Sequence, residues 1–163
     1  MQESISASDT RSLRALLARE HVELDELFER LQAAVRADAR DEAAALWSDF
    51  DTRLSAHMRL EEREILPWFA REYPTEAESI LAEHAQIRST LLELGVGVDL
   101  HFARAEVVDR FIALLRAHAQ REDAALYAWT QAHLGARERA NVLERLLVRL
   151  KQMPSELAHG LLK

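Results

Sequence analysis

Apolar residues recur at three- and four-residue steps through almost all of this 163-residue sequence, a period that admits amphipathic helices and little else. The first helix is expected from about Asp9 to Arg36, with Asp9 or Thr10 as cap and the stripe Leu13, Leu17, His21, Leu24, Phe28, Leu31, Val35. The second, about Asp41 to Arg71, reads Leu46, Phe50, Leu54, His57, Glu61, Ile65, Trp68, and Pro67 should kink its last turn. A break at Tyr73-Pro74 precedes the third, with Thr75 as N-cap and Glu78 as capping-box partner. Its stripe is Ala77, Ile80, His84, Ile87, Leu91, Leu94, and Gly95 and Gly97 should end it before a loop to about Phe102. The fourth reads Val107, Phe111, Leu115, His118, Glu122, Ala125, Trp129, and Gly135 closes it. A shorter helix from about Arg137 to Lys151 carries Leu143, Leu146, Leu147 and Leu150, and a loose tail follows Pro154. The expected fold is all-α: an antiparallel up-down-up-down four-helix bundle over about 9–134, a short fifth C-terminal helix over about 137–151, and one domain over 1–163.

Each of the four stripes is interrupted by a histidine, and His57 and His118 are followed four residues later by Glu61 and Glu122. Burying such groups is costly unless something satisfies them, and a metal centre satisfies all six together. The midpoint between His21 and His57 falls near Ala39, that between the His57/Glu61 pair and His84 near Tyr73-Pro74, and that between His84 and His118 at His101, in the three expected connections. Antiparallel helices rising ~1.5 Å per residue therefore bring the six side chains to one level.

The chain also repeats itself. A shift of 61 pairs Phe50 with Phe111, Leu54 with Leu115, His57 with His118, Glu61 with Glu122 and Trp68 with Trp129. A shift of 63 pairs Glu20-His21 with Glu83-His84. Two copies of one helical hairpin, each with one His and one His-x-x-x-Glu, suggest two half-sites and a two-metal centre in which each glutamate bridges. Residues four apart share a helix face, about 6 Å apart along the axis, so such a pair can serve one metal or span two.

Cysteine is absent, which excludes thiolate sites, so a metal here takes nitrogen and oxygen ligands, as iron, manganese and zinc do. Zinc usually takes four ligands, and six ligands from four helices fit two metals better. No histidine has a glutamate three residues before it, so the Glu-x-x-His pattern of ferritin-like centres is missing, as is His-Glu-x-x-His. The net charge of −7 comes without a basic cluster, and no apolar run approaches a membrane span; neither a nucleic-acid nor a membrane partner is expected, and the expected location is cytoplasmic.

The order His … His-x-x-x-Glu … His … His-x-x-x-Glu, with the segments HMRLEEREILPWF and HAQREDAALYAW, resembles the hemerythrin-like family, the HHE cation-binding domain, over about residues 10–150. The resemblance implies a non-haem di-iron centre of two iron ions with an oxo or hydroxo bridge. His21, His57, His84 and His118 would be terminal ligands, and Glu61 and Glu122 bridging carboxylates. Asp123 also stands at a family ligand position, five residues after the last His; the repeat favours Glu122 as the bridge. Oxygen-carrying members have a further histidine four residues after the third ligand, where this chain has Arg88. That departure turns the expectation from reversible oxygen carriage toward binding or redox processing of dioxygen, peroxide or nitric oxide, whether as an oxidoreductase or as an iron or oxygen sensor or store.

Glu20 and Glu83 are expected as solvated charges more than as partners of the ligand histidines, Trp68 and Trp129 as core fillers, and Tyr127 as a buried rim residue. His101, His133 and His159 are not assigned to metal.

Overall fold

The computed structural model describes residues 12–99 and 105–151. Seven helices make up these residues, with no strand among them: α1 (Ser12–Arg36), α2 (Arg40–Glu64), α3 (Leu66–Phe69), α4 (Pro74–Asp99), α5 (Ala105–Ala124), α6 (Leu126–His133) and α7 (Ala136–Lys151). The Asp9 or Thr10 cap, His101, His159, the side chain of Leu150 and the tail after Pro154 lie outside the described residues. No described helix is long and apolar enough to cross a membrane.

The four long helices close a ring of contacts: α1 packs on α2 and α5, and α4 packs on the same two. The turn from α1 to α2 is tight because Asp38 adopts φ 53°, the left-handed region that asparagine and aspartate tolerate better than most residues. The amide of Ala39 reaches the Ala34 carbonyl at 3.0 Å and that of Asp38 the Val35 carbonyl at 3.2 Å, a Schellman closure with aspartate in the place glycine usually takes.

Pro67 acts as expected. It has no N–H to continue the ladder, and the helix breaks at Ile65 into α2 and α3. The second half breaks at Ala125 without a proline, and α6 follows at Leu126. The third helix departs from its expected bounds at both ends. It begins at Pro74, whose preset φ and missing N–H suit the first helical position, so Thr75 lies within the helix and is not its cap. It then runs through Gly95 and Gly97 to Asp99. Gly95 is a packing notch, not a stop: a Cβ there would stand 3.2 Å from Nε1 of Trp47 on α2.

Two apolar clusters fill the interior, one on either side of a polar level. Leu13, Leu17, Ile65, Phe69, Ile80 and Leu126 belong to the first, joined by Val142 and Leu146 of α7. Leu24, Phe28, Phe50, Leu54, Ile87 and Phe111 belong to the second. Its centre is a trio of rings, with Phe28 4.8 Å from Phe50 and 5.4 Å from Phe111. Along each long helix the passage from one cluster to the other crosses the histidine position. Trp129 is buried and its indole donates to Glu72 at 3.0 Å. Its repeat partner Trp68 is 38% exposed with the Arg71 guanidinium over its ring, so the expectation of a core filler is corrected there. Beyond the proline break the short α3 turns Trp68 to the surface and Phe69 to the core.

Candidate metal centre

The break between the two clusters is occupied by His21, His57, His84, His118, Glu61 and Glu122, one or two from each long helix. Glu61, Glu122 and His84 are fully buried, and His21, at 10%, has the most exposed side chain of the six. The imidazoles face each other in two pairs. Nε2 of His57 is 3.0 Å from Nε2 of His21, and Nε2 of His84 is 3.1 Å from Nε2 of His118. Glu61 Oε1 lies 3.2 Å from His57 Nε2, and its Oε2 lies 3.5 Å from His84 Nε2. Glu122 Oε1 is 3.1 Å from both His84 and His118, and its Oε2 is 3.1 Å from His21. Two groups of ligand-type atoms result, His21, His57, Glu61, Glu122 and His84, His118, Glu122, with Glu122 common to both.

The outer nitrogens explain why the inner ones converge. Nδ1 of His57 is 2.9 Å from Glu20, Nδ1 of His84 is 2.8 Å from Glu62, and Nδ1 of His118 is 2.8 Å from Glu83. A carboxylate accepting from Nδ1–H fixes that tautomer, which leaves the Nε2 lone pair aimed inward. Asp123 faces Nδ1 of His21 at 3.6 Å, too far for a hydrogen bond, because its side chain is one methylene shorter than that of Glu62, its counterpart in the repeat. Arginines anchor three of these acids: Arg149 on Glu20, Arg88 on Glu62 at 2.8 Å and Arg121 on Glu83 at 2.8 Å.

Glu20 and Glu83 are therefore partners of histidines and not solvated charges, which corrects the reading of their positions as surface. Glu62 and Arg149 were missed. Glu62 could have been found from its neighbour, since it stands next to Glu61 as Asp123 stands next to Glu122; Arg149 lies in α7, outside the repeat, and has no local signal. Arg88 does not enter the centre. Asp123 stands behind His21, and Glu122 takes the inward position. His133 is exposed and stacks on Trp129, away from the centre. Tyr127 belongs to the centre and not to its rim: its hydroxyl donates to Glu61 Oε1 and stands 3.2 Å from Nε2 of both His21 and His57.

The electrostatics follow from this crowding. Burial pulls His57 and His118 down, yet the surrounding carboxylates outweigh it: Glu61 and Glu20 hold His57 well above its ordinary value, and Glu122 with Glu83 holds His118 up at about 8. Burial likewise lowers His21, and Asp123 and Glu122 push it back above its ordinary value. Burial raises the Glu122 carboxyl, and His118, His21 and His84 together drive it well below the usual range. Burial and the charges of Glu61 and Glu122 push the Tyr127 hydroxyl well up. Glu61 Oε2, Glu122 Oε2 and Nδ1 of His21 are buried without a hydrogen-bond partner. Each such group costs ~1–3 kcal/mol, and two Nε2 atoms about 3 Å apart need either a proton or a cation between them. The donor set is all nitrogen and oxygen, and it fits a cation at each histidine pair.

No curated protein and no solved structure matches the chain. The model of the hemerythrin HHE cation-binding domain matches residues 12–130, which take in α1 to α5 and the whole of the His/Glu cluster. The chain belongs to the hemerythrin HHE cation-binding family.

Proposed function

We propose that this protein is a non-haem di-iron member of its family, with the long helices in an up-down-up-down bundle. His21, His57, His84 and His118 serve as terminal nitrogen ligands, and Glu61 and Glu122 as bridging carboxylates. The observation that carries this reading is the pairing of inward Nε2 atoms at 3.0 and 3.1 Å across buried carboxylates, with three of the four outer nitrogens held by acids. Bound there, the iron pair supplies reversible one-electron chemistry and an open position for dioxygen, peroxide or nitric oxide.

The chain's own residues set the terms of that chemistry. Glu20, Glu62 and Glu83 keep their imidazoles in one tautomer and one orientation. Leucine and phenylalanine side chains pack against both sides of the polar level. A cleft of about 370 Å³ between α1 and α5 reaches His21, His57 and His118 past Leu24, Leu54 and Leu115. Asp25, Glu26, Arg116 and Asp123 also line it, so its walls are apolar with charged groups among them. His57→Ala and Glu61→Ala test the reading by metal analysis: both are expected to lose stoichiometric iron, and a variant that keeps two irons per chain contradicts it.

A sensor is the second reading, and one contact favours it. Arg149 on α7 holds Glu20, and Glu20 holds His57, so a side-chain relay joins the centre to the C-terminal end of α7. Rapid turnover of peroxide or nitric oxide by the iron-loaded protein supports the enzyme. Slow oxidation accompanied by a changed protease sensitivity of α7 supports the sensor.

A further inference from the structure

We propose that Tyr127 is a seventh protein donor of the centre, its phenol oxygen binding the metal held by His21, His57 and Glu61, and that it makes the two half-sites unequal. The inference rests on the di-iron reading above and adds a residue to it. The Tyr127 oxygen lies 3.2 Å from Nε2 of His21 and 3.2 Å from Nε2 of His57, and those two nitrogens are 3.0 Å apart. Glu61 Oε1 completes the group at 3.2 Å from His57 Nε2. Donor atoms ~2.1 Å from one six-coordinate cation stand about 3.0 Å apart at neighbouring corners. These separations are those of one coordination shell.

The same oxygen is already placed among the ligand atoms by its hydrogen bonds. A phenol has one hydrogen, and Tyr127 directs it to Glu61. Toward the imidazoles the oxygen then has only lone pairs to offer, met by a proton on Nε2 of His57 or His21 in the metal-free protein, inside a core where Tyr127 itself is 0% exposed. A cation in that space takes the place of those protons. With a cation bound there, the Tyr127 O–H bond would be broken, an oxygen–metal bond formed and the proton released to solvent; no electron moves. The positive charge reverses the field of the two glutamates that otherwise keeps the phenol neutral.

The helix breaks at Ala125 and restarts at Leu126, the residue before Tyr127, as α6. The repeat makes the asymmetry explicit. A shift of 61 places Leu66 opposite Tyr127, and Leu66 is a buried apolar residue of α3. The His84–His118 half-site thus has no such donor.

Wild-type protein and Tyr127→Phe, each loaded with ferrous iron and oxidised in air, test this by metal analysis, visible absorption and resonance Raman spectra. Wild type is expected to show a phenolate-to-iron charge-transfer band with enhanced tyrosine ring modes; Tyr127→Phe is expected to lose both and retain iron. The one other tyrosine, Tyr73, is half exposed and stacked on Phe69, so Tyr73→Phe is expected to keep both features. Iron-loaded wild type without tyrosine modes, or Tyr127→Phe that keeps them, overturns the inference and leaves the di-iron reading standing. If Tyr127→Phe fails to fold, ring-deuterated tyrosine in wild type decides: enhanced modes that do not shift also overturn it. Wild type that takes up no iron overturns the di-iron reading and this inference with it.

Discussion

The Arg88 guanidinium lies 2.8 Å from the carboxylate of Glu62, and Glu62 holds Nδ1 of His84 at 2.8 Å. The residue at the position where oxygen carriers have a further histidine thus acts from outside the centre, through an acid. Glu62→Ala is expected to weaken metal binding ~10- to 100-fold, in the range seen for partners of ligand histidines. Arg88→Ala, which leaves Glu62 in place and removes a half-exposed ion pair, is expected to cost less than ~10-fold and under ~1 kcal/mol of stability. Metal titrations of the two variants check the order; Arg88→Ala costing more than Glu62→Ala contradicts it.

Arg149 extends the same logic to the C-terminal helix. The repeat puts Leu60 where Arg121 serves the second half, so α7 supplies the arginine that Glu20 lacks locally. Arg149→Ala is expected to lower metal affinity ~10-fold while α7 stays docked through Val142 and Leu146. Isothermal titration together with circular dichroism separates these effects. Unchanged affinity with a folded α7 removes the link between α7 and the centre.

The metal-free protein carries a pH signature. His118 titrates at about 8 in the folded chain against an ordinary 6.5, and His57 and His21 shift the same way. A raised folded pKa gives stability that is full below about 6.5 and is lost as pH rises through about 8. Glu122, shifted down, contributes above its ordinary 4.5 and loses that contribution as pH falls further. Urea unfolding of chelator-treated protein is expected to show greater stability near pH 6 than near pH 9. Metal affinity runs the other way, since binding expels the same protons. Parallel pH trends for stability and affinity contradict this account.

Much of this was legible in the sequence because it depends on period alone. The 3.6-residue repeat put the histidines on apolar stripes, and the connection positions put them at one height. What escaped depends on geometry that period does not encode. Gly95 reads as a helix end, yet the Trp47 ring needs the space a Cβ would take. Trp68 and Trp129 align in the repeat, but Pro67 turns only the first outward. Glu20 and Glu83 are acidic residues beside histidines, and only the helix packing shows that each faces the histidine of its neighbour. Tyr127 depends on a helix break at Ala125 that no proline announces.

The cleft between α1 and α5 gives a kinetic test of access. Ala119→Phe narrows its lining without touching any of the six ligand-type residues. In the iron-loaded variant, nitric oxide is expected to bind at least several-fold more slowly, with iron content unchanged; stopped-flow rates equal to wild type place the path elsewhere.

In the proposed centre two metals share Glu61 and Glu122 within four imidazoles. Iron K-edge X-ray absorption on the loaded wild-type protein tests it most directly. The expected result is a histidine-rich nitrogen and oxygen shell with an iron–iron scattering vector, at two irons per chain. A single iron per chain with no second metal in its surroundings contradicts it.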